Sequence, residues 1–521
     1  MNKGKLPSKT GMLLIGAGIF LGIGLRLFSF GQAPPSLNRD EVALGYNAWA
    51  LSVEGQDEWG QRWPVTFKSF GDYKLPGYIY TLLPLVKLLG LSEWVVRLPS
   101  LVAGIASVIL LFQLVKFVYP GEKILPWLSA MALVTMPWAI HYSRVAFEAH
   151  LGLAFTLAAL WLMARGLEKP WQLFGASLFW VLAILTYNSP LLLLPVVVGS
   201  YVWFFRREEK EKLRRIVVFV LISVVVMGFG GGLVKGVSQA KTGITIFSDP
   251  TLNNNYRNER VRLDALNPVL GRVVGNRAVY FGRVMLVHYI ETLSPAFLVR
   301  KGGQHPWHTL PGWGHLTWLH YGLFLGGLVI WGRKVKTSVQ RWVAFSFLVS
   351  SLPAVITVDA PHATRSLLFL ALTAVPVSLT INEVILSVKK WKRVLGWIFI
   401  VGLIVYASYY TYDYLTSFSK RISPTWKKGL REALVTIKQY PTLPVTVTDF
   451  QSSPYIYVLF YERILPSMFL SRVQYYPTDN ANLTHVRSFD RYQFTNEPKR
   501  DLRGIIIEQT QNGQFLISVH E

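Results

Sequence analysis

Asp40 and Glu41 stand side by side just after the first long apolar run of the chain, where two adjacent carboxylates can do acid–base work. That run, Gly11 to Phe30, is apolar apart from Arg26 and long enough to cross a bilayer. Lys3, Lys5 and Lys9 precede it, which holds that end in the cytoplasm and sets the acidic pair at the outer face. There a carboxylate is placed to deprotonate a hydroxyl brought to a lipid-linked substrate. The alternative is a solvated first turn for the helix expected over 41–53, a position that acids favour. More charged residues fall at the outer ends of apolar runs. Lys74 follows Asp72-Tyr73, Arg144 and Glu148 lie between the third and fourth spans, and His362 and Arg365 precede the tenth. Cations beside carboxylates at a bilayer surface suit one job: the cations hold a lipid phosphate while a carboxylate takes a proton from an incoming nucleophile. Each also has a purely structural reading. Lys74 can be an interfacial anchor, Arg144 and Glu148 an i,i+4 helical pair, and Arg365 a headgroup contact.

The elements that must position these groups are membrane spans. The chain has 521 residues, 51% of them hydrophobic and only 16% charged, and the apolar residues come in blocks of bilayer length. An all-α polytopic membrane protein follows, with about eleven spans: the first, then 96–118, 124–141, 150–166, 171–187, 189–206, 215–234, 315–332, 342–358, 365–387 and 393–413. The net charge of +24 does not point to nucleic acid. Much of it sits in short basic clusters at every second junction (Arg206 to Arg215, Arg333 to Lys336, Lys389 to Arg393), so the bilayer's anionic headgroups are the natural partner. With the N-terminus inside, an odd count puts the C-terminus outside. The multi-pass protein is thus expected in a plasma membrane with its charged constellation extracytoplasmic. There is no cysteine, which excludes disulfides and thiolate chemistry.

Three regions leave the membrane on the outer side. Residues 31–95 carry the acidic pair, and within them Leu75 to Leu91 is interrupted by Pro76, Pro84 and Lys87, so it reads as interfacial or re-entrant, or else as a further span that shifts the parity. Residues 235–314 are rich in arginine, and Val269 to Ile290 has the pattern of an amphipathic helix, lying either on an anionic surface or against other loops. Residues 415–521 have soluble composition. Strands are expected at 445–447, 504–507 and 515–519, a helix at 454–462 and a hairpin turn at 511–514, which makes a small α/β domain. The domain division is therefore 1–414, membrane portion and its loops, and 415–521. His141, His305, His308 and His362 are scattered and lack the close spacing of a zinc site, so no metal and no cofactor are expected. Asn482-Leu483-Thr484 fits a glycosylation acceptor only formally.

In this order and sidedness the charged motifs resemble the GT-C glycosyltransferases that use polyprenyl-phosphate sugars, nearest to bacterial relatives of protein O-mannosyltransferases and of the lipid A aminoarabinose transferase. The resemblance rests on Arg39-Asp40-Glu41, Lys74-Leu75-Pro76-Gly77-Tyr78, Arg97-Leu98-Pro99-Ser100, Arg144 to Glu148, Tyr289 to Pro295, and Arg365. It implies Asp40 as general base with Glu41 as its helper, Lys74, Arg144 and Arg365 around the donor phosphate, and Glu148, His362 and Tyr73 as groups that position donor or acceptor. The family often has Lys-Pro-Pro where this chain has Lys74-Leu75-Pro76, and Asp at another spacing after the Arg. The implied activity is transfer of a sugar from a polyprenyl-phosphate donor to a hydroxyl of a protein, lipid or glycan, with inversion. Two other classes compete: a transporter or flippase of lipid-linked sugars, which places its ionisable groups near the bilayer midplane, and a non-catalytic scaffold presenting the C-terminal domain.

Overall fold

The computed structural model describes residues 9–70, 72–206, 218–225, 228, 232, 243–308, 311–478, 484–498, 500–501, 503–510 and 514–520. Lys3, Lys5, the basic run after Arg206, most of the span expected at 215–234, Asn482-Leu483 and the turn at 511–513 lie outside the described residues.

The chain is a helical multi-pass membrane protein with a small C-terminal sheet domain. Among the described residues, five helical stretches are long and apolar enough to cross a bilayer unaided: Lys9–Leu27, Glu93–Val118, Glu148–Gly166, Thr364–Ile385 and Lys390–Ile422. Several others expected as single spans are shorter or broken. The third divides into Leu125–Thr135 and Pro137–Tyr142, because Pro137 offers no N–H to continue the ladder. The ninth divides into Ser338–Val349 and Leu352–Val355 around Pro353. Pro76–Leu89 has only 14 residues, so at 1.5 Å per residue it is too short to cross, and its outer side leaves Leu88 80% exposed.

The chain divides into two compact units. The first comprises Met1–Leu25, Ala103–His141 and Ala149–Tyr410 and holds most of the apolar helices. Its core is built where Trp318–Lys334 and Leu125–Thr135 pack on Ala374–Ile385, with Gly327 against the backbone of Pro376. Ser129 and Ser378 exchange a buried hydroxyl hydrogen bond there at 2.8 Å, which satisfies both inside an apolar layer.

The second unit comprises Arg26–Val102, Tyr142–Glu148 and Thr411–Glu521. One edge of this division falls close to the boundary expected at 414, and the first loop joins the C-terminal residues. Six strands form the sheet, β3 (Val445–Val447), β4 (Gln474–Tyr475), β5 (Val486–Phe489), β6 (Tyr492–Phe494), β7 (Gly504–Gln509) and β8 (Phe515–His520), numbered after the hairpin β1 (Phe67–Ser69) and β2 (Asp72–Lys74). Their order is β4-β5-β6-β3-β7-β8, and β3 runs parallel to both neighbours. Strands β4 to β6 are not read from the sequence, because they are two to four residues long and half exposed. Tyr455–Glu462, which follows β3, packs on the helix Arg39–Glu54. Gly45 makes that approach possible: a Cβ there would lie 2.7 Å from the Phe460 ring and 2.6 Å from Val96.

The arginine-rich region is not one helix. It breaks into Pro250–Leu266, Pro268–Val273 and Arg277–Leu293, because Asn267 and Asn276 each turn a side-chain oxygen onto the next helix's N–H groups and start it afresh.

Candidate functional site

Asn38 begins the helix that carries the acidic pair. Its side chain accepts from Glu41 N while the Glu41 carboxylate accepts from Asn38 N, a reciprocal cap with both distances at 3.0 Å. Asp40 therefore sits in the first turn, one step before the residue that closes the cap. The loop returns through β1 and β2, whose antiparallel pairing matches Phe67 with Lys74. Leu75 is extended because Pro76 follows it, and the next helix begins at Pro76. Tyr78 pins that helix by donating to Val96 O at 2.9 Å. Lys74 is thereby held at the end of a strand, opposite the start of the helix Arg39–Glu54.

The Lys74 ammonium lies between two carboxylates, 3.2 Å from Asp40 Oδ1 and 3.5 Å from Glu148 Oε1. The Lys74 side chain is 13% exposed and that of Asp40 31%, so the cluster is recessed yet open to water. Glu148 is the first residue of its helix, where an acid meets the positive end of the helix dipole. Three elements distant in sequence thus meet at one cation. Tyr73, on the same strand, is 39% exposed.

Glu41 is unlike its neighbour. It has no exposure, and four donors converge on its carboxylate: Arg97 Nε at 2.9 Å and Ala146 N at 2.8 Å on Oε1, Arg97 Nη2 at 3.1 Å and Asn38 N on Oε2. Arg97 also donates to the carbonyls of Pro34 (2.8 Å) and Ser36. Arg144 is equally buried; it donates to the Ala33, Arg26, Phe28 and Ser29 carbonyls at 2.8 to 3.0 Å, and its guanidinium lies 5.6 Å from the centre of the Tyr414 ring. These carbonyls belong to the end of the first helix and the turn after it, which have no intrahelical partner. A guanidinium there caps the chain as it leaves the membrane. Arg144 and Glu148 do not form the i,i+4 helical pair, since the helix starts only at Glu148.

Beneath the cluster, the turn 55–62 is tied by Asp57 Oδ1 accepting from Trp59 N and Gln61 N, and by Glu58 N donating to Asn47 Oδ1 at 3.0 Å. The Glu58 side chain is 1% exposed, and among the described residues neither carboxyl oxygen has a hydrogen-bond partner at close range. Burial, with Asp57 adding to it and Lys74 opposing it, raises its pKa from 4.5 to about 8, so the acid is neutral at pH 7. The unfolded chain loses that proton near 4.5 and the folded one keeps it. Stability from this group is therefore full below 4.5 and declines as pH rises toward 8, by on the order of 3 kcal/mol at neutral pH. Glu58→Gln, neutral at every pH, should flatten the fall in melting temperature across that window; an unchanged slope would remove Glu58 as its source.

His362 and Arg365 belong to the other unit and gather their own partners there. Arg365 Nη1 donates to Thr357 Oγ1 at 2.9 Å and pairs with Asp359. Burial pushes the Asp359 carboxyl upward, but Arg365, His362 and Thr357 outweigh it and hold the pKa below the usual range. Tyr187 donates to Thr364 Oγ1 at 2.9 Å, which leaves the Thr364 proton for His362 Nδ1 at 3.0 Å and turns the His362 Nε2 toward Asp359 at 3.6 Å. The imidazoles of His305 and His308 stack with centroids 4.3 Å apart, His308 and His362 meet at 5.2 Å, and His141 Nε2 reaches Trp307 O at 3.0 Å. Histidines that look scattered in the sequence thus form a chain. Among the described residues no three His, Asp or Glu side chains are arranged to hold a metal ion. A narrow apolar crevice walled by Gly152, Leu153, Pro190, Leu193 and Leu368 ends at Arg365 and Thr364.

Sequence reasoning overlooked Arg97 as a functional group and Glu58 altogether. Arg97 could have been found, because a guanidinium in the opening turns of an apolar span requires a buried acid or carbonyls. Nothing in the types around Glu58 marks it as buried.

The family model for dolichyl-phosphate-mannose-protein mannosyltransferases matches residues 74–229, less than a third of the chain. No curated protein matches the sequence significantly. Among solved structures, ArnT from Cupriavidus metallidurans bound to undecaprenyl phosphate is 13% identical with a TM-score of 0.56, over 88% of this chain and 86% of that one. The archaeal oligosaccharyltransferase AglB from Archaeoglobus fulgidus, in complex with an inhibitory peptide and a dolichol-phosphate, is 10% identical with a TM-score of 0.53, over 87% of this chain. This chain spans 64% of AglB's length. The chain has the GT-C fold, as its sequence motifs implied.

Proposed function

We propose that this protein is a glycosyltransferase that moves a sugar from a polyprenyl-phosphate donor to an acceptor hydroxyl, with inversion and at the extracytoplasmic face. The observation that carries this reading is the Lys74 ammonium held between the Asp40 and Glu148 carboxylates in a recessed, open site. A donor phosphate competes with those carboxylates for Lys74 and, on taking it, draws the ammonium away from Asp40, which faces the anomeric carbon. Asp40 removes the acceptor proton as the acceptor oxygen bonds to that carbon. The bond from carbon to phosphate oxygen breaks, its electron pair leaves with the polyprenyl phosphate, and Lys74 offsets the developing charge. Attack opposite the leaving group inverts the centre.

Glu41 and Arg144 take positioning roles in this reading, because four donors converge on the one and the other donates to four backbone carbonyls. In this reading Arg365 is a further phosphate ligand, its guanidinium held by Thr357 and Asp359. His362 orients Asp359 next to it. Glu148 shares Lys74 with Asp40 and steadies the cation before donor arrives, and Tyr73 remains as a contact for the acceptor. The bilayer's anionic headgroups surround the cytoplasmic basic clusters, with the N-terminus on that side.

Undecaprenyl phosphate is the probe that tests this reading. The full chain in nanodiscs should retain it by native mass spectrometry, and Lys74→Met should weaken retention by about tenfold or more. Cells lacking the protein should accumulate a polyprenyl-phosphate sugar and lose a surface glycoconjugate. No retention by the wild-type chain together with unchanged glycolipids would sink the proposal.

A further inference from the structure

We propose that the helical hairpin of residues 249–293 is a membrane-docking element whose aliphatic tip dips among lipid chains while its arginines take anionic headgroups. The helix Pro250–Leu266 has no buried residue, and Arg277–Leu293 buries only Phe281 and Thr292. At the tip between them Leu266, Val269 and Val273 are 69%, 65% and 61% exposed, with Leu270 and Val274 beside them. Val279, Leu286 and Ile290 extend the exposed stripe along one face of the last helix at helical spacing.

Aliphatic residues at a turn are normally buried, so their exposure requires a cover. Two features select lipid as that cover. The first is charge. The segment 250–293 holds six arginines against three acids. Two arginines are spent internally, Arg260 on Asp264 at 2.7 Å and Arg283 on Glu259. Arg257, Arg262, Arg272 and Arg277 have no carboxylate partner among the described residues, and the last three flank the tip. An apolar tip ringed by guanidiniums is the pattern of an interfacial element on anionic lipid. The second is where the aromatic rings go. Protein interfaces draw their energy from Tyr, Trp and Phe. Here Tyr256, Tyr280, Phe247 and Phe281 pack on one another with centroids 5.3 to 6.3 Å apart, and the tip 266–274 carries no aromatic residue. The tip is also held in shape: a Cβ on Gly271 would lie 1.7 Å from the Asp264 carboxylate, so the two short arms approach as only glycine permits.

The native chain has no cysteine, so a single one can carry an environment-sensitive fluorophore without background. Val269→Cys reports the tip and Asn254→Cys the polar flank, each in the full chain reconstituted into nanodiscs. In discs with about one-third phosphatidylglycerol the label at 269 should be blue-shifted and roughly fivefold less accessible to acrylamide than the label at 254. In pure phosphatidylcholine the difference should shrink, and the triple change Arg262→Glu, Arg272→Glu, Arg277→Glu should abolish it in anionic discs. The comparison between lipids needs no charge variant, so misfolding of the triple variant leaves the test intact. Equal quenching at 269 and 254 in anionic discs overturns the proposal, as does protection indifferent to phosphatidylglycerol. Protection that rises with the number of protein copies per disc assigns the tip to a second copy and overturns it too.

Discussion

Asp40→Asn should lower sugar transfer by about a thousandfold while leaving polyprenyl-phosphate binding intact or tighter. In the resting site the Lys74 ammonium is shared by Asp40 and Glu148. Asparagine keeps the size and hydrogen-bonding reach of aspartate but offers no charge, so one competitor for the cation is removed while the proton acceptor is lost. Binding and turnover therefore move apart, a separation that damage to the fold would not produce. Single-turnover transfer and native mass spectrometry of bound undecaprenyl phosphate measure the two quantities on the same preparation. Asp40→Glu should recover little, because the extra methylene drives its carboxylate past the position fixed by the Asn38 cap. Turnover within a fewfold of wild type in Asp40→Asn would remove Asp40 as the base.

Much of the scaffold is legible in the sequence because bilayer physics writes it in residue types. Apolar runs of fixed length mark helices. A two-residue strand such as β4 leaves no such periodicity. Asp40, Lys74 and Glu148, expected together at one end of their spans, meet at a single ammonium. The partners of the remaining charges are not written in residue types. Arg144 is held by four carbonyls, and a carbonyl is carried by every residue, so no side-chain identity announces the contact. Glu41 and Asp40 are adjacent and chemically alike, yet one helical step of about 100° sends one carboxylate inward and the other to the open site. The histidines show the converse. Their sequence separation conceals a cluster, because two loops and a helix end bring them together and only tertiary structure fixes where those loops go.

Glu41→Gln should cost more stability than any other isosteric change in this unit. All four groups facing the carboxylate are donors, two on each oxygen. A glutamine amide can accept at one end only. Whichever way it is flipped, its NH2 confronts two N–H groups, and the Arg97 guanidinium loses its counter-charge where it has no exposure to water. Breaking one side of a buried pair costs about 3–5 kcal/mol. For a chain of this size that corresponds to a fall in melting temperature of roughly 3–5 °C. Replacing both partners, as Glu41→Leu with Arg97→Leu, should not restore stability as it does in many proteins. The carbonyls of Pro34 and Ser36 and the N–H groups of Asn38 and Ala146 would remain buried without partners. Transfer should fall in proportion to the folded fraction, since Glu41 acts by tying the first loop, the second long span and the loop before Glu148 into one piece. A Glu41→Gln protein that melts like wild type but has lost turnover would show instead that Glu41 contacts the reacting atoms.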